Sequence, residues 1–201
     1  DYTKSAILRV PSDAIEGNAV EEHTRYIIDN LASMVENKAG TLVLFSSKRQ
    51  MEQVFDELPN DLARLILIQG QYSNREMVRL HKERIDQGKT SVLLGLASFA
   101  EGVDLPGDYC RHVVIAKLPF AVPNEPLQEA LAEWIESQGG NSFFDISLPL
   151  ASLRLIQASG RLLRTETDTG TVSILDKRLV TKRYGEQLLD ALPPFHREVG
   201  H

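Results

Sequence analysis

The chain has 201 residues, and its 22 Lys and Arg against 28 Asp and Glu give a formal net charge of −6. Apolar residues make up 42% of it, which excludes a disordered chain, and the single cysteine excludes an internal disulfide and a cysteine-ligated metal cluster. No apolar run reaches the roughly 18 residues of a membrane span, so we expect no membrane contact. Because the first residues carry neither an initiator Met nor a signal sequence, we expect a cytoplasmic domain cut from a longer protein.

The predicted elements alternate between amphipathic helices and short apolar strands. The pair Asn18 and Glu21 resembles a capping box and predicts a helix that ends near Gly40. Strands are predicted, in chain order, over residues 41–45, 65–68, 91–96, 112–115 and 171–175. Further helices are predicted after Ser47, after Ser73 and over about 127–135, 150–164 and 185–192.

Strands that are apolar throughout, separated by such helices, predict an α/β fold with a parallel sheet flanked by helices on both faces. We expect residues 1–201 to form one domain. The proline-rich segment of about 120–149 is expected to be a helical and loop insertion within that domain.

Polar residues follow the carboxyl ends of the predicted strands, where an open parallel sheet binds its ligands. Ser46 and Ser47, Gln69 and Gly70, and Ser98 are such residues, and hydroxyls and exposed amides suit phosphate oxygens. The acidic total disfavours indiscriminate nucleic-acid binding, but the basic residues are clustered and permit local binding. The residues alone leave two interpretations open, because Ser47 can simply cap its helix and Gly70 can simply turn the chain.

Three long polar side chains share one stripe of the predicted 150–164 helix. Gln157, Arg161 and Arg164 are spaced i, i+4 and i+7, and two guanidiniums about one turn apart can bind a polyanion. Gly160 beside them would cost roughly 1 kcal/mol inside a helix, and it lets another group approach the backbone. The alternative is a solvated arginine face.

The segment after the 91–96 strand places two carboxylates in a glycine-containing loop. Glu101, Gly102 and Asp104 could hold a ribose hydroxyl, a metal-bound water or an arginine, or Asp104 could stabilise the following turn. The sequence contains no G-x-x-x-x-G-K-[ST], G-x-G-x-x-G or H-E-x-x-H, and its histidines lack metal-ligand spacing, so we expect no metal site. We interpret His112 as structural and find no evidence that Cys110 is a nucleophile.

Several motifs occur together in collinear order over about residues 40–195 and resemble those of the XPD-like superfamily 2 DNA helicases. They are LVLFSS at 42–47, SFAEGVDLP at 98–106, the K-L-P-F-x-x-P-x-x-P signature at 117–126 and QASGRLLR at 157–164. Asp176-Lys177-Arg178 and the LDALP segment at 189–193 look specifically like bacterial DinG-type helicases.

The resemblance implies a RecA-like fold and the second motor domain of an ATP-dependent helicase that moves 5′ to 3′ on single-stranded or forked DNA. ATP and Mg²⁺ would be shared with the N-terminal motor domain of the same polypeptide, which would carry the P-loop. An iron–sulfur cluster would belong to the parent protein and not to this chain. We therefore predict that this chain alone does not hydrolyse ATP.

The resemblance also assigns roles to the residues. Arg161 and Arg164 would be arginine fingers, and Gln157 would position one of them or the attacking water. The nucleotide cleft would be lined by Glu101, Gly102, Asp104 and Gly160. The DNA backbone would be contacted by Ser46, Ser47, Gln69, Gly70 and Ser98, with Arg75 as a weaker electrostatic contact.

Two other functions fit the residues. One is a stand-alone α/β module that binds nucleic acid or protein without ATPase activity. The other is a nucleotide-dependent α/β enzyme that uses the arginine stripe on a small phosphorylated substrate. A P-loop and a D-E-x-H motif upstream of Asp1 in the parent sequence would favour the motor domain.

Overall fold

A computed structural model describes residues 5–120, 126–162 and 167–200 of the chain. In this part, seven strands form one sheet in the order β3-β4-β2-β5-β6-β1-β7, and each pairing is parallel. The strands are β1 (Ala6–Val10), β2 (Gly40–Phe45), β3 (Ile66–Ile68), β4 (Ser91–Leu96), β5 (His112–Ile115), β6 (Gly170–Ile174) and β7 (His196–Val199).

Helices connect most of these strands. They are α1 (Val20–Asn30), α2 (Lys48–Glu57), α3 (Asn60–Ala63), α4 (Asn74–Asp86), α5 (Ala97–Glu101), α6 (Pro126–Ser137), α7 (Leu148–Ser159), α8 (Arg178–Thr181) and α9 (Gly185–Ala191). Shorter turns of 3₁₀ helix lie at Leu31–Met34 and Gly107–Tyr109, and a π-helical turn lies at Phe143–Ser147. Among the described helices, none is long and apolar enough to cross a membrane.

Alternate residues of the central strands pack into separate apolar clusters, because successive strand side chains point to opposite faces. On β2, Leu42 and Leu44 belong to the cluster that contains Leu155 of α7, whereas Val43 packs with Ile27 of α1. Helices therefore cover both faces of the sheet, and the predicted α/β architecture is confirmed.

Several predicted boundaries are wrong. The capping box at Asn18 does not form, because α1 begins at Val20 after Ala19, and no side chain caps it. That helix ends at Asn30, well before Gly40. The two strands that the sequence did not predict are β1 and β7, and β1 lies between β6 and β7.

In the described part of the segment of about 120–149 that was predicted to be an insertion, Phe143 and Leu148 pack against the core. Phe143 lies with its ring centroid 5.5 Å from that of Phe120 and 5.2 Å from that of Tyr184. The preceding helix α6 has no buried residue, and Leu127 and Trp134 on its apolar side are 78% and 62% exposed.

His112 is structural, as the sequence predicted. Its Nδ1 lies 2.7 Å from the Met34 carbonyl oxygen and its Nε2 lies 2.7 Å from Ser173 Oγ. Burial lowers the pKa of this imidazole to about 4. Its contacts join the start of β5 to β6 and to the turn before β2.

Candidate functional site

The predicted phosphate contacts lie along the carboxyl edge of the sheet. Phe45 at the end of β2 pairs with Leu96 at the end of β4, and Ile68 at the end of β3 pairs with Leu94. Ser46 and Ser98, which follow β2 and β4, are both exposed. The structure therefore brings the residues after three neighbouring strands together at one edge.

Ser47 and Gly70 also have the structural roles that the sequence left open. Ser47 Oγ accepts a hydrogen bond from the Gln50 backbone N–H at 3.2 Å and caps α2. Gly70 has a φ of +102°, a conformation that strongly favours glycine. The cap at Ser47 and the turn at Gly70 thus fix the backbone of the exposed loops after β2 and β3.

Gln69 and Arg75 occupy the same edge beside β3. Gln69 Oε1 accepts a hydrogen bond from the Leu96 backbone N–H at 2.8 Å, so this side chain extends the pairing of β3 with β4. Arg75 lies in the first turn of α4 and is exposed. The helix is capped by Ser73, whose Oγ accepts from the Glu76 N–H at 3.2 Å.

Gln157, Arg161 and Glu101 line one small cavity between α5 and α7. Its volume is about 40 Å³, and Arg154 and Leu44 complete part of its wall. Arg161 Nη1 donates a hydrogen bond to the Val103 carbonyl oxygen at 3.3 Å. This contact orients the guanidinium beside the loop that carries the predicted carboxylates.

Gly160 does not lie inside a helix, contrary to the prediction. α7 ends at Ser159, and Gly160 is its C-cap with a φ of −65°, so the expected helix-interior cost does not apply. A Cβ at this position would lie 3.2 Å from the Ile156 carbonyl oxygen, a tight contact that a shift of a few tenths of an ångström relieves. Arg164 lies outside the described residues.

The loop that follows α5 alternates between buried and exposed residues. Val103 and Leu105 are buried, whereas Glu101, Gly102 and Asp104 are exposed. The buried pair fixes the loop against the core and leaves the predicted cleft residues at the surface. Glu101 shares a cavity wall with Arg161, and Gly102 and Asp104 flank Val103, whose carbonyl oxygen Arg161 contacts.

One buried carboxylate that sequence reasoning did not assign to the site joins three loops at the same edge. Asp176 Oδ1 accepts from the Gly17 N–H at 2.9 Å, and its Oδ2 accepts from the Leu118 N–H at 3.0 Å. Arg178 Nη2 donates to Oδ2 at 2.7 Å. Burial raises the pKa of Asp176, but Arg178 and the two amides outweigh it and hold the pKa below its usual value.

His23 fixes two strand ends beside this carboxylate. Its Nε2 lies 2.7 Å from the Ala116 carbonyl oxygen and 2.9 Å from that of Leu175, so Nε2 carries the proton. Gln50 Nε2 lies 2.9 Å from His23 Nδ1, which accepts. Burial lowers the pKa of His23, and the neutral imidazole thus ties α2 to the ends of β5 and β6.

The described residues contain no group of three or more His, Cys, Asp or Glu side chains placed to hold a metal ion. Cys110 is buried at 1% exposure, and burial raises the pKa of its thiol to about 12. A thiol in this state is not a nucleophile at neutral pH.

The family of helicase C-terminal domains matches residues 30–195 of the chain. The chain belongs to this family. This helicase C-terminal domain is similar to the ATP-dependent DNA helicase DinG of Photobacterium profundum, with 46% identity over 203 residues that cover 99% of the chain and 29% of that protein. It is 44% identical over 177 residues to DinG of Escherichia coli (strain K12), covering 87% of the chain and 25% of that protein.

Solved structures support the same fold. A structure named XPD_APO has a TM-score of 0.67 at 19% identity and covers 98% of the chain and 40% of that protein chain. The C-terminal domain of the DEAD-box protein Dbp5 has a TM-score of 0.54 at 14% identity and covers 99% of the chain and 91% of that domain. The predicted RecA-like fold is confirmed, and the DinG proteins above confirm the predicted resemblance to DinG-type helicases.

The helicase C-terminal domain spans less than a third of the length of the DinG proteins it matches.

Proposed function

We propose that this helicase C-terminal domain is the second motor domain of an ATP-dependent DNA helicase in the cytoplasm. It supplies Arg161 to an ATP site shared with an N-terminal motor domain and binds the backbone of single-stranded DNA along the carboxyl edge of its sheet. The placement of Gln157, Arg161 and Glu101 on the wall of one cavity carries this proposal.

The cavity is too small to hold a nucleotide. A volume of about 40 Å³ accommodates little more than a single water molecule. The chain therefore supplies one wall of a nucleotide site, and the phosphates with their Mg²⁺ bind to the other domain. The relatives named ATP-dependent DNA helicases support ATP as the nucleotide.

Arg161 is suited to stabilise the charge that develops on the transferred phosphoryl group. Its guanidinium is held by the Val103 carbonyl, which removes part of the entropy cost of positioning a long side chain. Gln157 on the same wall positions Arg161 or the attacking water. Arg164 is proposed as a second arginine finger on the family motif alone.

The exposed carboxylates and the glycine beside Arg161 complete this wall. Glu101, Gly102 and Asp104 would approach the ribose or an arginine, and Gly160 would allow close approach of the other domain. ATP binding then closes the cleft and hydrolysis reopens it, so that two DNA grips alternate. We propose 5′ to 3′ movement on single-stranded or forked DNA, and an iron–sulfur cluster elsewhere in the parent protein.

The proposed DNA contacts of this domain lie along the carboxyl edge of its sheet. Three serines are exposed or partly exposed there: Ser46, Ser98 and Ser47, whose hydroxyl caps α2. Hydroxyls, amides and guanidiniums bind phosphates without reading the base sequence. Gln69 and Gly70 shape the edge beside β3, and Arg75 adds positive charge.

Arg161→Ala in the full-length parent protein tests the ATP role. We expect the affinity for ATP to stay within a few-fold and the DNA-stimulated ATP turnover to fall by roughly 10³-fold, because the arginine acts in the transition state. Turnover is measured by phosphate release at saturating ATP and DNA. Arg64→Ala, which removes an exposed arginine from before β3, is the matched control and should keep its turnover.

Near-normal turnover of the Arg161 variant would remove this residue from the proposed role. A parent protein that binds DNA and hydrolyses no ATP would instead favour a nucleic-acid-binding module without ATPase activity.

A further inference from the structure

The carboxyl edge continues beyond the residues assigned to DNA. The Ala116 N–H donates to the Leu44 carbonyl oxygen and the Leu175 N–H donates to the Ile115 carbonyl oxygen, each at 2.9 Å. The register of β2, β5 and β6 is thus kept past their last paired residues. Lys117 therefore lies between Ser46, which follows β2, and Asp176, which follows β6.

Lys117 is a partly buried cation whose neighbouring carboxylate is already saturated. The two oxygens of Asp176 accept hydrogen bonds from the backbone N–H groups of Gly17, Leu118 and Arg178 and from the Arg178 guanidinium. A carboxylate offers about four lone-pair sites, so these donors fill the hydrogen-bonding capacity of Asp176, and it acts on Lys117 only through its charge. Burial, and then the charge of Arg178, lower the pKa of Lys117, and they outweigh the charge of Asp176, which raises it.

Close packing holds Lys117 in this position. A Cβ at Gly17 would lie 2.8 Å from Lys117 Cβ and 3.0 Å from Arg178 Nη2, so only glycine fits between these side chains. Arg178 is itself fixed over the Phe120 ring, with the guanidinium carbon 5.5 Å from the ring centroid. The first part of the Lys117 side chain is therefore packed against Gly17 and Arg178.

Around Lys117, the acidic side chains are fewer than the basic ones. Arg178 pairs with Asp176 at 2.7 Å and Lys182 pairs with Glu16 at 3.2 Å. Within the described residues, neither Lys117 nor Lys177 makes an ion pair. A local excess of positive charge thus stands in a chain whose net charge is −6. The ligand that completes such a site is an anion.

We infer that Lys117 and Lys177 bind a backbone phosphate of the same single strand that contacts Ser46 and Ser47. This inference rests on the proposed DNA contacts and extends them across β5 and β6. Neighbouring strands are about 4.8 Å apart, so the row from Gln69 after β3 to Lys177 after β6 spans roughly 19 Å. Asp176 and Arg178 position the lysines and do not contact the phosphate.

The test measures binding of a fluorescent oligothymidylate of about 15 nucleotides to the 201-residue chain by anisotropy over a range of salt concentrations. We expect Lys117→Ala and Lys177→Ala each to weaken binding about fivefold near 0.1 M salt. Each should also reduce the slope of log K against log salt by about 0.7. Lys117→Arg should keep the affinity, since it keeps the charge.

Lys89→Ala is the matched control, because Lys89 is exposed just before β4 at the opposite edge of the sheet. It should keep the wild-type affinity within twofold. Thermal unfolding of each variant separates loss of binding from loss of folding, and Lys177→Ala tests the site if Lys117→Ala does not fold.

The outcomes distinguish this inference from the proposed function. A wild-type chain that does not bind the oligonucleotide contradicts both. Wild-type binding with lysine variants that behave like Lys89→Ala overturns the inference alone. Lysine variants that lose affinity for ATP or inorganic phosphate and keep their affinity for the oligonucleotide also overturn it, because the phosphate then belongs to a free nucleotide.

Discussion

His81 and His112 are buried imidazoles that connect the sheet to the loops around it. His81 Nδ1 lies 2.8 Å from Ser91 Oγ and its Nε2 lies 2.7 Å from the Tyr109 carbonyl oxygen. Burial lowers the pKa of each imidazole to about 4, against about 6.5 in an unfolded chain. Both residues are therefore neutral in the folded protein at neutral pH.

The free energy of unfolding should consequently fall as the pH falls from 6.5 towards 4. In this range the unfolded chain binds protons that the folded chain does not, so the stability that these groups contribute is complete above the unfolded pKa. At pH 5 each imidazole should lower the free energy of unfolding by up to about 2 kcal/mol relative to neutral pH. Urea denaturation at pH 7.5 and pH 5 measures the difference.

His81→Gln should reduce this pH dependence, whereas His196→Gln should leave it unchanged because His196 is exposed. Equal free energies of unfolding at pH 5 and pH 7.5 would contradict the prediction. Asp176 does not affect this window, because its pKa is held below the usual carboxyl value.

At single residues, sequence reasoning succeeded where the environment is local. The cap at Ser47 is such a case, because its partner Gln50 is three positions away. The structural interpretation of His112 followed from its place at the start of an apolar strand, but its partners Met34 and Ser173, 78 and 61 positions away, were not predicted. The role of Asp176 could not be predicted, because Gly17 and Leu118 come to its carboxylate from 159 and 58 positions away in the chain.

Among the secondary-structure elements, α2 combines a stabilising cap with a place at the proposed DNA edge. Ser47→Asp keeps an N-cap acceptor for the Gln50 N–H, and aspartate is also favourable near a helix N-terminus. The added negative charge should repel backbone phosphates. We therefore expect unchanged thermal stability and single-stranded DNA binding weakened by about tenfold or more at low salt.

Anisotropy with a labelled single strand and a thermal melt measure the two properties. Ser33→Asp is the control, since Ser33 is exposed in the turn before β2 at the other edge of the sheet. Equal DNA affinity of the Ser47 and Ser33 variants would argue against a contact at Ser47.

The ends of the strands and helices were predicted correctly where the apolar pattern of the sequence marks them, and wrongly where tertiary packing sets them. β4 and β5 begin and end as predicted, because each is a short buried run that opens on a polar residue, Ser91 or His112, and is otherwise almost entirely apolar. The end of α7 was placed too late, since the apolar spacing of Leu162 continues after Gly160 ends the helix. Gln157 and Arg161 therefore do not lie on one helix, but both line the same cavity.

For the whole molecule, the division of the ATP site gives a direct prediction. The 201-residue chain alone should show no ATP hydrolysis above background, with or without single-stranded DNA, because its sequence contains no P-loop. Phosphate release measures this, with the full-length parent as the positive control. Comparable turnover by the chain and the parent would contradict the proposed division.

The fold class could be predicted because the strands that were recognised are mostly buried and mostly apolar. The outer part of the sheet could not, since β7 is mostly exposed and polar, and β1 was not recognised as its neighbour. The candidate site was predicted as a set of strand ends, and the sheet order that makes them adjacent became known only from the structure.

The position of β1 has a consequence for how the chain is made. Its neighbours, β6 and β7, begin at residues 170 and 196, so Ala6–Val10 leaves the ribosome long before either of them exists. Until β6 and β7 have been synthesised, this strand has two unpaired edges, which are prone to pair wrongly. β1 is therefore made before every other strand of this sheet and is paired among the last, and its two edges stay unprotected until residues 170–199 have been made.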